Sequence, residues 1–308
     1  MNVASTLLLK FQIGSCAFKM WPLYYFSFSI FGTMNDRPAD FNIWLGDHLY
    51  MLKPWQWEKE ENMIEAYQNQ RKEKRLARFM ENRRQYAIWD DHDYGPNNSD
   101  STFENKEMAR NVYMKMWNHP SYGENNQGIY YTFQQSDAQF FMLDCRYFKL
   151  GEEKLLGRMQ MEWLKRELLK SDRTFKFICF SIQVLCDGGY ENFRKTPSEY
   201  KELMDFLSEH HIKGVVFFSG DVHYSEVSKM DRPNDYSLYD FTFSSLTSIS
   251  GIYKDNLNGI PETRVRKNNF GEISILEENG VKKCVFQCIS RKGDLFWEKT
   301  ISEKELGY

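Results

Sequence analysis

Three apolar runs in this chain each end on an acidic residue at a turn, and no other feature constrains the fold as much. Ile43-Trp44-Leu45 runs into Gly46-Asp47-His48-Leu49-Tyr50. Tyr86-Ala87-Ile88-Trp89 runs into Asp90-Asp91-His92-Asp93, and Gly95-Pro96-Asn97-Asn98 then supplies turn chemistry. Val215-Val216-Phe217-Phe218-Ser219 runs into Gly220-Asp221-Val222-His223. A short apolar run bounded by turn signals reads as a buried strand. A buried strand that stops at Gly-Asp presents a carboxylate at the carboxyl edge of its sheet, where open α/β sheets bind ligands. Carboxylates and imidazoles crowded there are costly to hold together unless a cation or a partner neutralises them.

Each tip alone has a plainer reading. A lone Asp or His at a strand end is more often a helix cap or a turn former. His48, His119, His210 and His211 are read that way, as exposed or structural residues. Cys16 follows Gly14-Ser15 at the end of a fourth apolar run, Leu7 to Ile13, and alone would read as a buried thiol. The recurrence of the pattern outweighs these readings.

The remaining chain supports an α/β organisation. Residues 59–84 contain no Gly or Pro and are rich in Glu, Lys, Arg and Gln, which predicts a helix with a charged outer face. Further helices are expected over 104–117, 155–170 and 198–210, and a buried strand over 175–181. A hairpin is expected from 128–133 and 138–143. After residue 238 the pattern turns antiparallel, with alternating runs joined at Asn279-Gly280 and Lys292-Gly293. Residues 18–38 are aromatic and irregular and receive no assignment. No Ser- or Pro-rich linker divides the chain, so one domain over 1–308 is expected, a mixed sheet assembly with helices outside.

With 42% hydrophobic and 27% charged residues, the chain falls in the globular class. A formal net charge of -3 and a pI near 6.1 argue against a nucleic-acid surface. No apolar run is long enough to span a membrane, and no basic leader precedes Leu7, so neither a span nor a signal peptide is expected. The six cysteines form no CxxC pair, and four of them (Cys145, Cys179, Cys284, Cys288) sit in strand-like runs as buried thiols.

Sorted by chemistry, the tip residues fall into two sets. Asp47, Asp91 and Asp221 offer hard oxygen donors, which suit calcium, magnesium or manganese. Cys16, Tyr50 and His223 offer thiolate, phenolate and imidazole, which suit a trivalent or borderline metal such as iron. Asp47 shares a motif with Tyr50 and is the natural bridge. The residues thus read as two metals of different character sharing one aspartate. Two metals about 3.5–4 Å apart clamp an in-line displacement at phosphorus, and His92, beside Asp91, can protonate the leaving oxygen. A mononuclear zinc hydrolase would want a cluster such as HExxH, and none exists.

The order of Gly14-Ser15-Cys16, Gly46-Asp47-x-x-Tyr50, Trp89-Asp90-Asp91-His92-Asp93, Leu143-Asp144-Cys145-Arg146 and Ser219-Gly220-Asp221-Val222-His223 resembles the alkaline phosphatase D (PhoD-like) metallophosphatases, relatives of the purple acid and calcineurin-like phosphatases. The resemblance runs from about Phe11 to the C-terminus. It also covers Gly157-x-x-Gln160-x-x-Trp163-Leu164 and Phe241 to Thr247.

It implies a four-layer sandwich, two mixed β-sheets flanked by helices. It also implies a phosphodiesterase or phosphomonoesterase attacking with a metal-activated hydroxide, with a small or polymeric phosphate ester as substrate. Ferric iron would be held by Cys16, Asp47, Tyr50 and His223, and calcium by Asp47, Asp91 and Asp221, with magnesium, manganese or zinc as substitutes. His92 would donate the proton. Tyr67 and Arg146 match family positions that support the donors or bind phosphate.

Family members are usually exported and often carry a small β domain before Gly-Ser-Cys; this chain shows neither feature, so its location and the extent of its N-terminal part stay open, as does its oligomeric state. Where Ile182 stands the family usually has glycine, and a β-branched residue tolerates a positive φ poorly. A non-catalytic homologue that binds metal or a phosphorylated ligand is therefore the alternative reading.

Overall fold

The computed structural model describes residues 5–20, 22–189, 191–253 and 255–308. Trp21, in the unassigned aromatic stretch, lies outside the described residues, as do residues 1–4 of the segment read for a leader. Twelve strands form two six-stranded sheets. In chain order they are β1 (Thr6–Gly14), β2 (Phe41–Leu45), β3 (Arg84–Ile88), β4 (Tyr131–Gln135), β5 (Ala138–Met142), β6 (Phe175–Cys179), β7 (Val215–Ser219), β8 (Glu226–Met230), β9 (Leu238–Thr242), β10 (Asn269–Glu278), β11 (Val281–Ser290) and β12 (Leu295–Ser302). The first sheet has the order β12-β11-β10-β1-β2-β3 and the second β4-β5-β6-β7-β9-β8. Strands β1, β2 and β3 run parallel, as do β5, β6, β7 and β9. The remaining neighbours pair antiparallel, including the C-terminal meander expected from its Asn-Gly and Lys-Gly turns.

The sheets face each other across an aromatic core, which is where much of the aromatic content goes. Phe11 on β1 stacks on Phe41 of β2 (centroids 5.2 Å) and meets Phe140, Phe177 and Phe218 of the opposite sheet edge-on. The period-2 alternation of a strand sorts these residues. Val216 and Phe218 of β7 point between the sheets, while Val215 and Phe217 point to the helices outside.

Among the described residues, eight α-helices complete the layers: α1 (Tyr24–Ser27), α2 (Ser29–Asn35), α3 (Glu60–Arg71), α4 (Lys74–Asn82), α5 (Asp91–Tyr94), α6 (Lys106–Met116), α7 (Gly157–Lys170) and α8 (Pro197–Glu209). Leu164, Leu168, Leu203 and Leu207 of α7 and α8 close over Ile178 and Phe217. On the other side Phe31 and Phe79 of α2 and α4 pack on Trp44 of β2. The single helix expected over 59–84 is two. Glu73 leaves the helical conformation and its carboxylate accepts from the Arg75 and Leu76 N–H groups (2.8 and 3.0 Å), starting a new helix. A Glu in that role carries no Gly or Pro signal. The unassigned 18–38 stretch holds α1 and α2.

Phe11 touches both sheets and is fully buried. Phe11→Ala should lower the unfolding free energy by about 3–5 kcal/mol. Denaturant titration showing a loss under 1 kcal/mol would mean that the two sheets do not share this core.

Candidate metal centre

Every acidic tip projects from the carboxyl end of a parallel strand. Cys16 follows β1, Asp47 follows β2, Asp91 follows β3, and Asp221 and His223 follow β7. The two sheets therefore deliver donors to one place from opposite sides. The approach is close enough to exclude side chains at two positions. A Cβ on Gly46 would lie 2.5 Å from the Asp90 Cβ, and one on Gly220 would lie 2.7 Å from the Ser15 Oγ. The donors themselves are strained. Cys16, Asp47, Asp221 and His223 have φ of 60°, 51°, 66° and 58°, in the left-handed region. Non-glycine residues persist there at a cost of about 1–3 kcal/mol each, and such residues cluster at functional sites.

The donor atoms fall into two groups that share a residue. Atoms of Cys16, Asp47 and His223 lie within 4.8 Å of one another, as do atoms of Asp47, Asp91 and His92. Tyr50 joins the first group, with its Oη 2.9 Å from the His223 Nε2. Asp221 belongs to neither group at that distance, although its backbone carbonyl lies 3.5 Å from the Cys16 Sγ.

The electrostatics are those of a site short of positive charge. Burial, reinforced by Asp91, Asp90, Asp93 and Asp221, holds the Asp47 carboxyl far above the usual carboxylate range. Burial and the fields of Asp90, Glu191 and Asp91 do the same to Asp221. Burial also raises the Cys16 thiol and the Tyr50 phenol, both of which feel Asp47. Asp91 goes the other way. Burial pushes its pKa up, but Arg146, His92 and the N–H groups of Asn98 and His92 outweigh it. The Asn98 N–H reaches Asp91 Oδ2 at 2.6 Å. The buried Asp90 Oδ2, Asp91 Oδ1 and His92 Nδ1 have no hydrogen-bond partner among the described residues. Buried polar atoms are normally paired, and orphaned oxygens among mutually repelling carboxylates are what a cation would satisfy. The residues present therefore fit a metal centre.

A family model described as PhoD-like phosphatase matches residues 11–287. The chain belongs to the PhoD-like phosphatase family. Among solved structures, one described as PhoD superposes with a TM-score of 0.74 at 16% identity, covering 97% of this chain and 70% of that one. The purple acid phosphatase PPD1 from yellow lupin (Lupinus luteus) seeds gives 0.69 at 10% identity, covering 98% and 54%. GAP50, described as the anchor in the inner membrane complex of Plasmodium, gives 0.61 at 14% identity, covering 96% and 89%. At these identities the likeness is one of fold, the two-sheet metallophosphatase-like sandwich. No curated protein matches the sequence.

Within the PhoD-like sandwich, a layer of residues braces the donors. Asp93, the last residue of the Asp90-Asp91-His92-Asp93 tip, is fully buried. Its Oδ1 accepts from the N–H groups of Asp47 (2.9 Å) and Asp90 (3.3 Å), and its Oδ2 lies 2.8 Å from His48 Nε2. It therefore staples the β2 and β3 tips together, and His48 is structural as expected. Arg146 is also fully buried and spends its guanidinium on Asp90 (2.6 Å) and, bidentately, on Glu191 (3.0 and 3.0 Å). Tyr67 is buried beside His48, ring centroids 5.2 Å apart. Of the two roles open to Arg146 and Tyr67, their placement favours support over contact with phosphate.

Sequence reasoning missed Glu191, which lies in a segment with no periodicity, and the serines around Cys16. Ser244 Oγ lies 3.2 Å from the Cys16 Sγ and accepts from the His223 N–H at 3.0 Å, while Ser248 Oγ lies 3.2 Å from the Tyr50 Oη. Ile182 is buried, and its φ is not positive, so the strain expected of a β-branched residue there does not arise.

A carboxyl whose pKa is raised by folding contributes stability that is full below the unfolded pKa and is lost as pH rises through the folded one. Metal-free protein should therefore weaken as pH rises from about 4, and added cation should remove that decline. Asp47→Asn should leave the metal-free protein at pH 8 at least as heat-stable as the metal-free parent, while abolishing most of the rise in Tm on adding cation. Calorimetry showing an undiminished rise in the variant would remove Asp47 from the donor set.

Proposed function

We propose that the chain is a bimetallic phosphoesterase, acting through one domain on phosphodiester or phosphomonoester bonds. The observation that carries the reading is that Asp47 stands in both donor groups. In this reading Cys16, Asp47, Tyr50 and His223 hold ferric iron. Asp47, Asp91 and Asp221 hold calcium, for which magnesium, manganese or zinc can substitute. When bound, the metal pair supplies a Lewis acid for the phosphoryl oxygens and a nucleophile at near-neutral pH.

The chain's own residues do the remaining work. Asp93 and Ser244 fix the backbone at Asp47 and His223, so the donors are set before substrate arrives. Arg146 holds Asp90 in place, and its field favours the ionised form of Asp91. The His92 imidazole lies against the Tyr50 ring (centroids 4.3 Å) with its Nδ1 free of hydrogen-bond partners among the described residues. That leaves it able to carry a proton to the leaving oxygen.

His92 stands close enough to Asp47 and Asp91 to be a ligand instead, and one variant separates the roles. His92→Ala should keep its metal content while kcat on an alkyl phosphate ester falls by about 10²–10⁴-fold. A nitrophenyl ester, whose leaving group needs little protonation, should suffer much less. Loss of metal with an equal fall on both esters would make His92 a ligand and leave the proton donor unassigned.

A further inference from the structure

We propose that a cavity beside the iron end of the centre is a subsite for an apolar arm of the substrate. This rests on the phosphoesterase reading and extends it to a substrate class, an amphiphilic phosphate ester. The cavity holds about 610 Å³ and adjoins the donor cluster across Ser248, which lines it and lies 3.2 Å from the Tyr50 Oη.

Its wall is unusual for a protein surface. Leu23, Phe26 and Ile249 line it and are 50%, 71% and 60% exposed. Single exposed apolar side chains need no explanation, but several converging on one concave site mark a ligand surface. Arg291 also lines the cavity and braces the Phe26 segment, with its Nη1 2.8 Å from the Phe26 carbonyl and 2.7 Å from the Ser29 Oγ.

Charge fits an anionic ester entering beside this wall. Lys267 and Lys292 line the cavity, and neither ammonium has an ion-pair or hydrogen-bond partner among the described residues. Asp294, the acid of the wall, accepts from the Ser290 Oγ (3.0 Å). A second cavity, of about 260 Å³, is lined by Asn98, Lys149, Glu191 and Asn192 together with Leu155 and Ile182, and the Asn98 N–H bonds Asp91.

The test compares 4-nitrophenyl hexyl phosphate with 4-nitrophenyl methyl phosphate on the metal-loaded protein. Burial of the added methylenes should give the hexyl ester a KM about tenfold lower or better. The double variant Phe26→Ser/Ile249→Ser should collapse that KM ratio to within about twofold, with the kcat ratio of the two esters unmoved. Equal KM values in the parent, or a ratio that survives in the variant, would overturn the subsite.

If neither ester turns over, the phosphoesterase reading fails separately, and calorimetric binding of hexylphosphonate against methylphosphonate then decides. A hexyl preference that the double variant loses supports the subsite, and equal affinities overturn it.

Discussion

The mutual repulsion of buried carboxylates where the two sheets meet is the constraint on which the rest of this structure depends. Beyond burial, Asp91, Asp90, Asp93 and Asp221 raise the Asp47 pKa, and Asp90 and Asp91 raise that of Asp221. Taking even one such charge out of water is expensive without a partner. The fold answers part of that demand itself. Arg146 is committed to Asp90 and Glu191, His48 stands against Asp93, and backbone N–H groups reach Asp91 and Asp93. Even with Arg146 opposing burial, Asp90 is pushed up to about 7, so the protein's own cations do not fully compensate. Asp47 and Asp221 are left to a cation from outside.

The sandwich is what makes this arrangement attainable. Two sets of parallel strands present their carboxyl ends to the same edge, and the phenylalanines between the sheets set their spacing. Tips from opposite sheets then approach to backbone contact at Gly220, where a Cβ would lie 2.8 Å from the Leu45 carbonyl oxygen, while Gly46 is crowded by Asp90 at the end of the neighbouring strand. The left-handed conformations of four donors are tolerated because neighbours lock them. Asp93 holds the Asp47 N–H, Ser244 the His223 N–H, and the Cys16 carbonyl lies 3.0 Å from the Ser248 Oγ. Strain held this way before any ligand arrives is preorganisation.

Much of the architecture was legible because strands such as β2 and β7 are short apolar runs closed by Gly-Asp, and the C-terminal strands alternate between turn signals. The centre was legible because those runs end on donor residue types. The parts that were not legible share a physical cause. The break at Glu73 is made by a side chain folding back on its own backbone, which composition does not reveal. Glu191 and Ser248 act through contacts to residues distant in sequence, Arg146 and Tyr50, from segments without periodicity. Asp93 lies in the short helix α5, and only the β2 backbone lying beside it gives the carboxylate its work. Tyr67 and Arg146 matched family positions, but their burial, and so their distance from solvent, is a property of packing alone.

Anomalous X-ray scattering from crystals of the purified protein, collected across the iron edge and below it, tests the account most directly. The account predicts two distinct ions in contact with Asp47. One scatters as iron among Cys16, Tyr50 and His223, and the other is a lighter ion on Asp91 and Asp221. A single ion, or two ions with Asp47 touching only one of them, would contradict it.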